Sequence, residues 1–147
     1  MKTKIAVVAV IGLAAAISVS RLGAQNATRS VWDGVYSADQ AKTGQADYKA
    51  QCAACHGDQL EGGEMAPALA GADFMSNWSG LTLGDLFDRI KTTMPATNPG
   101  SLSSKATAEI VAYILQVNNF PAGQTTLPTQ TEVLKQIHID ANKPAQK

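Results

Sequence analysis

The sequence is poor in the residues that build metal and disulfide sites, with two cysteines and two histidines among 147 residues. A structural zinc site uses four Cys or His ligands, so a zinc site would have few residues to draw on. An excess of basic charge is also missing, because 12 basic residues balance 12 acidic ones and no basic patch stands out. We therefore expect no nucleic-acid partner.

No apolar run reaches the roughly 20 residues that a membrane-crossing helix needs. The most apolar stretch, Ile5–Val19, has 15 residues, follows Lys2 and Lys4, and is followed by small residues before Gln25. This order is typical of a secretory signal, so we expect cleavage after residue 24 and a periplasmic mature chain. An uncleaved N-terminal anchor is the alternative, and membrane contact is expected only in that case.

Both cysteines and one histidine fall in one motif, Cys52-Ala53-Ala54-Cys55-His56. The C-x-x-C-H spacing predicts a covalent haem site, because two thiols three positions apart can each add to a vinyl group on one porphyrin edge. The imidazole that follows is then held under the iron as an axial ligand. A dithiol redox pair and half of a zinc site also use C-x-x-C spacing and are the alternatives. A dithiol pair usually lies in a βαβ pattern, and no such pattern is visible. A zinc site would need further ligands, and the other histidine, His138, lies far away in the tail.

Helix signals flank this motif on both sides. They predict three main helices, over residues 38–51, 83–92 and 104–118. The first follows a capping-box spacing at Ser37 and Gln40, and the second follows a threonine N-cap at Thr82. The stretch from Gly57 to Gly80 has five glycines and little helix signal, so we expect it to be a loop wrapped over one face of a bound group. We expect no strand pairs.

The chain divides into four segments by composition. They are a signal peptide over 1–24, an extended N-terminal segment over 25–36, a helical domain over 37–123 and a C-terminal extension over 124–147. Within the extension, a short amphipathic turn with Val133, Leu134 and Ile137 is expected to pack onto the body, and His138 is expected to be exposed. The extension is also a candidate docking element for a partner protein.

A haem held by His56 leaves a second axial position on its other face, and Met94 is the strongest candidate to fill it. The alternative for any methionine is an ordinary apolar residue of the core. Met94 ends a predicted helix, precedes Pro95 and lies 38 residues beyond His56, which is enough chain to pass around the ring. A thioether is a soft, neutral ligand that favours ferrous iron and raises the reduction potential. Met65 and Met75 neither end a predicted helix nor directly precede a proline, so we expect them to be ordinary apolar residues.

Residues 37–123 resemble the class I cytochrome c family. Gly44 and Tyr48 match a glycine and an aromatic residue on the N-terminal helix of that family. Ile110 and Tyr113 match the aliphatic-x-x-aromatic pair that crosses them on the C-terminal helix. The resemblance implies an all-α class I cytochrome c fold, with three to four helices around one covalent haem c.

The resemblance also assigns the site residues. Pro67 is similar to a family proline whose carbonyl accepts a hydrogen bond from the proximal imidazole, and Leu69 to a leucine that lies against the haem. The implied haem contacts are Cys52, Cys55, Pro67 and Leu69, and the implied iron ligands are His56 and Met94.

Two further stretches are similar to monohaem cytochromes that accept electrons from quinoprotein dehydrogenases. They are Lys91–Ser103 around Met94 and Val31–Tyr36 before the first helix. The resemblance implies an electron carrier rather than an enzyme, with a dehydrogenase as donor and an oxidase or another cytochrome as acceptor. A haem enzyme or gas sensor with an open or displaceable sixth site is the alternative function.

Overall fold

A computed structural model describes residues 28–145, and the predicted signal peptide lies outside them. The helices are α1 (Ala38–Gln51), α2 (Ala53–His56), α3 (Gly71–Trp78), α4 (Leu83–Thr93), α5 (Ser104–Val117) and α6 (Thr131–Leu134). Two short strands, β1 (Arg29–Ser30) and β2 (Ile137–His138), complete the regular structure with a 3-10 turn over Val31–Asp33. Over this part of the chain, no helix is long and apolar enough to cross a membrane.

Local caps explain why the three predicted helices appear as α1, α4 and α5, with ends within one residue of those expected. The hydroxyls of Ser37 and Ser103 each accept a hydrogen bond from a backbone N–H in the first turn of the helix that follows. Thr82 and Asp85 form a reciprocal capping box at the start of α4. Each cap satisfies donors that the first turn of a helix leaves without partners.

The prediction that residues 57–80 form only a loop is wrong for α3. This helix has no side-chain cap at Ala70, so its start carries no local sequence signal. Its middle is held by packing, since Phe74 is fully buried.

The core centres on the crossing of α1 and α5. Gly44 allows the two backbones to approach, because a Cβ at this position would overlap the carbonyl oxygen of Glu109. Beside this contact, the rings of Tyr48 and Tyr113 lie 5.4 Å apart. The motif that follows α1 is thus attached to the most closely packed part of the molecule.

The residues after 123 pack onto this body. Leu127, Leu134, Ile137 and Ile139 are each at most 2% exposed. The predicted packing is thus confirmed for Leu134 and Ile137, but not for Val133, which is 44% exposed.

The expectation of no strand pairs is wrong, because β1 and β2 pair in parallel, with Arg29 opposite Ile137 and Ser30 opposite His138. His138 is half-buried rather than exposed, because its backbone lies in this pair and also bridges to Thr82.

Candidate metal centre

The C-x-x-C-H motif occupies the junction between α1 and α2. Cys52 ends α1 and begins α2; its N–H donates to the carbonyl of Tyr48 at 2.8 Å, and its own carbonyl accepts from the N–H of His56 at 3.0 Å. The motif therefore forms one helical turn with a fixed backbone. Cys52 is half-buried, Cys55 is exposed and His56 is buried, at 7% exposure.

The tautomer of His56 is set by its hydrogen bond. Its Nδ1 lies 2.8 Å from the carbonyl oxygen of Pro67. Because a carbonyl can only accept, Nδ1 carries the proton and Nε2 keeps its lone pair. Nothing in residues 28–145 donates a hydrogen bond to Nε2. A neutral imidazole with one nitrogen bonded to a carbonyl and the other free is the arrangement that metal-ligating histidines have.

The loop that carries Pro67 has a defined course. The N–H of Gly62 donates to the carbonyl of His56 at 2.8 Å, and the N–H of Leu69 donates to the carbonyl of Leu60 at 2.8 Å. Gly62 has φ +73°, and a Cβ there would overlap the backbone of Ala68, so the loop needs glycine at this point. The carbonyl of Pro67 is thereby held near the imidazole.

Tyr48 supports the same turn in a way that the sequence did not reveal. Its hydroxyl donates to the carbonyl of Gly57 at 2.7 Å, directly after His56. Burial raises the pKa of this phenol, with smaller contributions led by Cys52 and Glu61, so it stays a donor. The resemblance predicted only that Tyr48 packs against α5; the hydrogen bond had no sequence signal because its acceptor is a backbone carbonyl.

Met94 lies where α4 ends. Its N–H donates to the carbonyl of Ile90 at 3.0 Å, and its φ and ψ of −119° and 155° take the chain out of the helix before Pro95. Its side chain is half-buried against the core, as is that of Met75, whereas Met65 is 81% exposed.

Several apolar side chains at the border of the core remain partly accessible. They are Cys52, Leu69, Met75, Trp78 and Met94, all packed against buried residues without being buried themselves. An open cleft of about 780 Å³ lies nearby, a size that cofactor sites commonly have. Pro67, Trp78 and the polar side of α4 line it, whereas the cysteines, His56 and Met94 do not. The available imidazole nitrogen, and the contact of His56 with Pro67 at the edge of this cleft, fit a bound group that carries a metal.

The thiol of Cys52 does not have the character of a redox-active cysteine. Burial, and secondarily the charges of Asp47 and Cys55, raises its pKa to about 11. Redox-active dithiols need a lowered pKa, because the thiolate is the nucleophile. Across residues 28–145, no group of three or more His, Cys, Asp or Glu side chains is gathered as in a metal site made only of those residues.

A family model described as cytochrome c oxidase, cbb3-type, subunit III matches residues 39–114, about half of the chain. The chain belongs to the cytochrome c family. The match runs through the C-x-x-C-H motif and Met94, and it confirms the resemblance, the all-α cytochrome c fold and the covalent haem c. The function that follows is haem-based electron transfer.

The cytochrome is also similar to a solved structure, the sulfane dehydrogenase SoxCD from Paracoccus pantotrophus. The two share 26% identity with a TM-score of 0.51, over 74% of this chain and 61% of that one. The cytochrome thus spans less than two thirds of the chain it matches. None of the curated proteins matches it. The haem and iron contacts assigned to individual residues of the cytochrome stay predictions.

Proposed function

We propose that this cytochrome is a periplasmic carrier of single electrons, with Cys52 and Cys55 joined to haem c and His56 and Met94 as axial ligands. The observation that carries the proposal is the 2.8 Å hydrogen bond from His56 Nδ1 to Pro67, which leaves Nε2 as the nitrogen available to iron. A haem iron with two strong axial ligands changes its charge with little rearrangement, which suits electron transfer.

The protein residues have separate roles in this proposal. The carbonyl of Pro67 accepts a hydrogen bond from the Nδ1–H of His56, which orients the imidazole and makes Nε2 a stronger electron-pair donor. Met94 supplies a neutral thioether that favours the reduced state. Leu69 would lie against the haem and keep water away from it, which would lower the local polarity and also favour the less charged state.

The proposed partners are proteins. The donor is a dehydrogenase of the quinoprotein type, and the acceptor is an oxidase or another cytochrome. The similarity of Lys91–Ser103 and Val31–Tyr36 to cytochromes of that group supports the donor, and the matched solved chain comes from a dehydrogenase. The predicted signal over residues 1–24 supports the periplasm.

The test replaces each described methionine by leucine, which keeps the volume but removes the sulfur. In M94L we expect the weak sulfur-to-iron absorption of the oxidised protein to disappear. We also expect the reduction potential to fall by on the order of 0.1 V, within the roughly 0.8 V span that axial ligands set.

The matched controls are M75L, at a half-buried apolar site, and M65L, at an exposed one. Both should keep the absorption and the potential. An unchanged spectrum in M94L would remove Met94 as a ligand. A high-spin spectrum in the unaltered protein would favour the haem enzyme or gas sensor with an open sixth site.

A further inference from the structure

The side chain of Asn118 connects two distant parts of the molecule. Asn118 ends α5, and its Nδ2 donates to the carbonyl of Ile114 in that helix and to the carbonyl of Leu69, both at 2.9 Å. Its Oδ1 accepts from the N–H of Gly71, also at 2.9 Å. One amide therefore bonds α5 to a segment 47 to 49 residues earlier in the chain.

The bond to Gly71 does what a local cap would otherwise do. Gly71 is the first residue of α3, and the preceding Ala70 makes no side-chain cap. The first N–H groups of a helix have no partner within the helix. Gly71 also has open space where a Cβ would be, so side-chain packing does not hold it in place. Asn118 therefore fixes the start of α3 through hydrogen bonds.

The anchored segment begins at the acceptor of the histidine. Pro67 precedes Leu69 by two residues, and its carbonyl is the group that His56 Nδ1 contacts. Movement of Leu69 and Gly71 away from α5 would be passed to Pro67 through two or three peptide units. The position of this carbonyl, which the backbone bonds of Gly62 and Leu69 also hold, thus depends in part on an amide that does not contact the imidazole.

We propose that Asn118 is a positioning residue for the proximal histidine: by anchoring Leu69 and Gly71 to α5, it sets the strength of the hydrogen bond from His56 to Pro67, and through it the reduction potential. The inference rests on the proposed ligation of iron by His56. A strong hydrogen bond from Nδ1 makes the imidazole a better donor and stabilises oxidised iron. Loss of the anchor should weaken this bond and favour the reduced state.

Two substitutions separate the effect of losing the hydrogen bonds from the effect of adding a negative charge. N118L removes all three bonds at similar volume. N118D keeps an acceptor for Gly71 but loses both donor contacts and places a carboxylate near two carbonyl oxygens. The matched control is N119D, which makes the same change one residue later at an exposed position whose side chain bonds no residue in the described part of the chain.

The experiment uses the purified mature cytochrome with its haem. We measure the potential and, by nuclear magnetic resonance, the solvent exchange of the His56 Nδ1 proton. In N118L, the oxidised-to-reduced ratio at a fixed solution potential should fall about three- to tenfold. In N118D the added negative charge favours oxidised iron and opposes this fall, so the proton exchange decides for that variant. In both variants the proton should exchange about tenfold faster or more, while the sulfur-to-iron absorption is retained. N119D should change neither value.

An unchanged potential in N118L and unchanged proton exchange in both Asn118 variants, with the absorption intact, would overturn the inference and leave the proposed function standing. A His56→Ala variant that keeps the original low-spin spectrum would instead overturn the proposed function. If N118L does not accumulate, N118S provides the test, because it removes both long-range bonds with a small side chain that a helix end tolerates. The same two measurements then decide the inference.

Discussion

At the scale of single residues, three buried polar rings of this cytochrome are oriented by backbone carbonyls. The hydroxyl of Tyr36 donates to Phe120 at 2.7 Å, and His56 and Tyr48 contact the carbonyls of Pro67 and Gly57. In the part of the chain that the structure describes, no side-chain polar atom that is fully shielded from solvent lacks a hydrogen-bond partner. Turning one of these rings away would leave a buried donor unpaired, at a cost of about 1–3 kcal/mol. Each of the three rings is therefore held in one orientation.

Tyr36 leads to a prediction about alkaline pH. Burial raises the pKa of its phenol in the folded protein, whereas the unfolded chain loses this proton near its usual pKa of about 10. The contribution to stability is therefore complete below about pH 10 and is lost above it, by about 1.4 kcal/mol per pH unit. Y36F should be less stable than the unaltered protein at about pH 8, and the difference should shrink by about pH 11. Denaturant unfolding at several pH values measures this, and a difference independent of pH would contradict it.

At the scale of helices and strands, a helix could be predicted from the sequence when the residue that caps its N-terminus lies next to it in the chain. Helices α1, α4 and α5 were predicted because Ser37, Thr82 and Ser103 lie next to the helices they cap. Helix α3 was missed because its first N–H is bonded by Asn118, far along the chain. The resemblance predicted that α1 and α5 cross at Gly44, but the atom that Gly44 meets, a backbone oxygen, has no sequence signal.

The crossing of α1 and α5 gives a prediction about Gly44. In an exposed helix interior, replacing glycine by alanine stabilises by about 1 kcal/mol. Here the new methyl would overlap the carbonyl of Glu109, so we expect G44A to lower the free energy of unfolding by about 3 kcal/mol or more. The control is G63A, since a Cβ at Gly63 meets nothing within 4 Å. Thermal or denaturant unfolding compares the two, and equal stabilities would show that the helices separate at little cost.

At the scale of the whole molecule, the two end segments form one structure. The hydroxyl of Ser30 donates to the carboxylate of Asp140 at 2.6 Å, and Nε1 of Trp32 donates to the carbonyl of the same residue at 2.9 Å. These partners are about 110 residues apart, and β1 and β2 have two residues each, too short for a period to appear. Composition predicted separate segments at the two ends of the chain. Hydrogen bonds between residues about 110 positions apart join these segments.

The C-terminal extension also braces the helix that ends at Met94. Thr131 donates to the carboxylate of Asp88 on α4 at 2.7 Å. Gly84 on the same helix packs so closely on Lys135 that a Cβ would displace it. Removing an element that only docks a partner would leave the helical domain unchanged. These contacts predict instead that removing the extension changes the domain.

Deletion of residues 124–147 should therefore damage the domain. It exposes the sites covered by Leu127, Leu134, Ile137 and Ile139, and at about 1.5–3 kcal/mol for each buried side chain the loss approaches a typical total stability of about 5–15 kcal/mol. We expect a large fall in melting temperature and, because α4 loses its support, loss of the sulfur-to-iron absorption, while covalently attached haem remains. The control deletes residues 141–147, whose described members are all exposed, and should keep both properties. If the longer deletion keeps the absorption and melts normally, the contacts of the extension with α4 contribute nothing to the fold and this prediction is wrong.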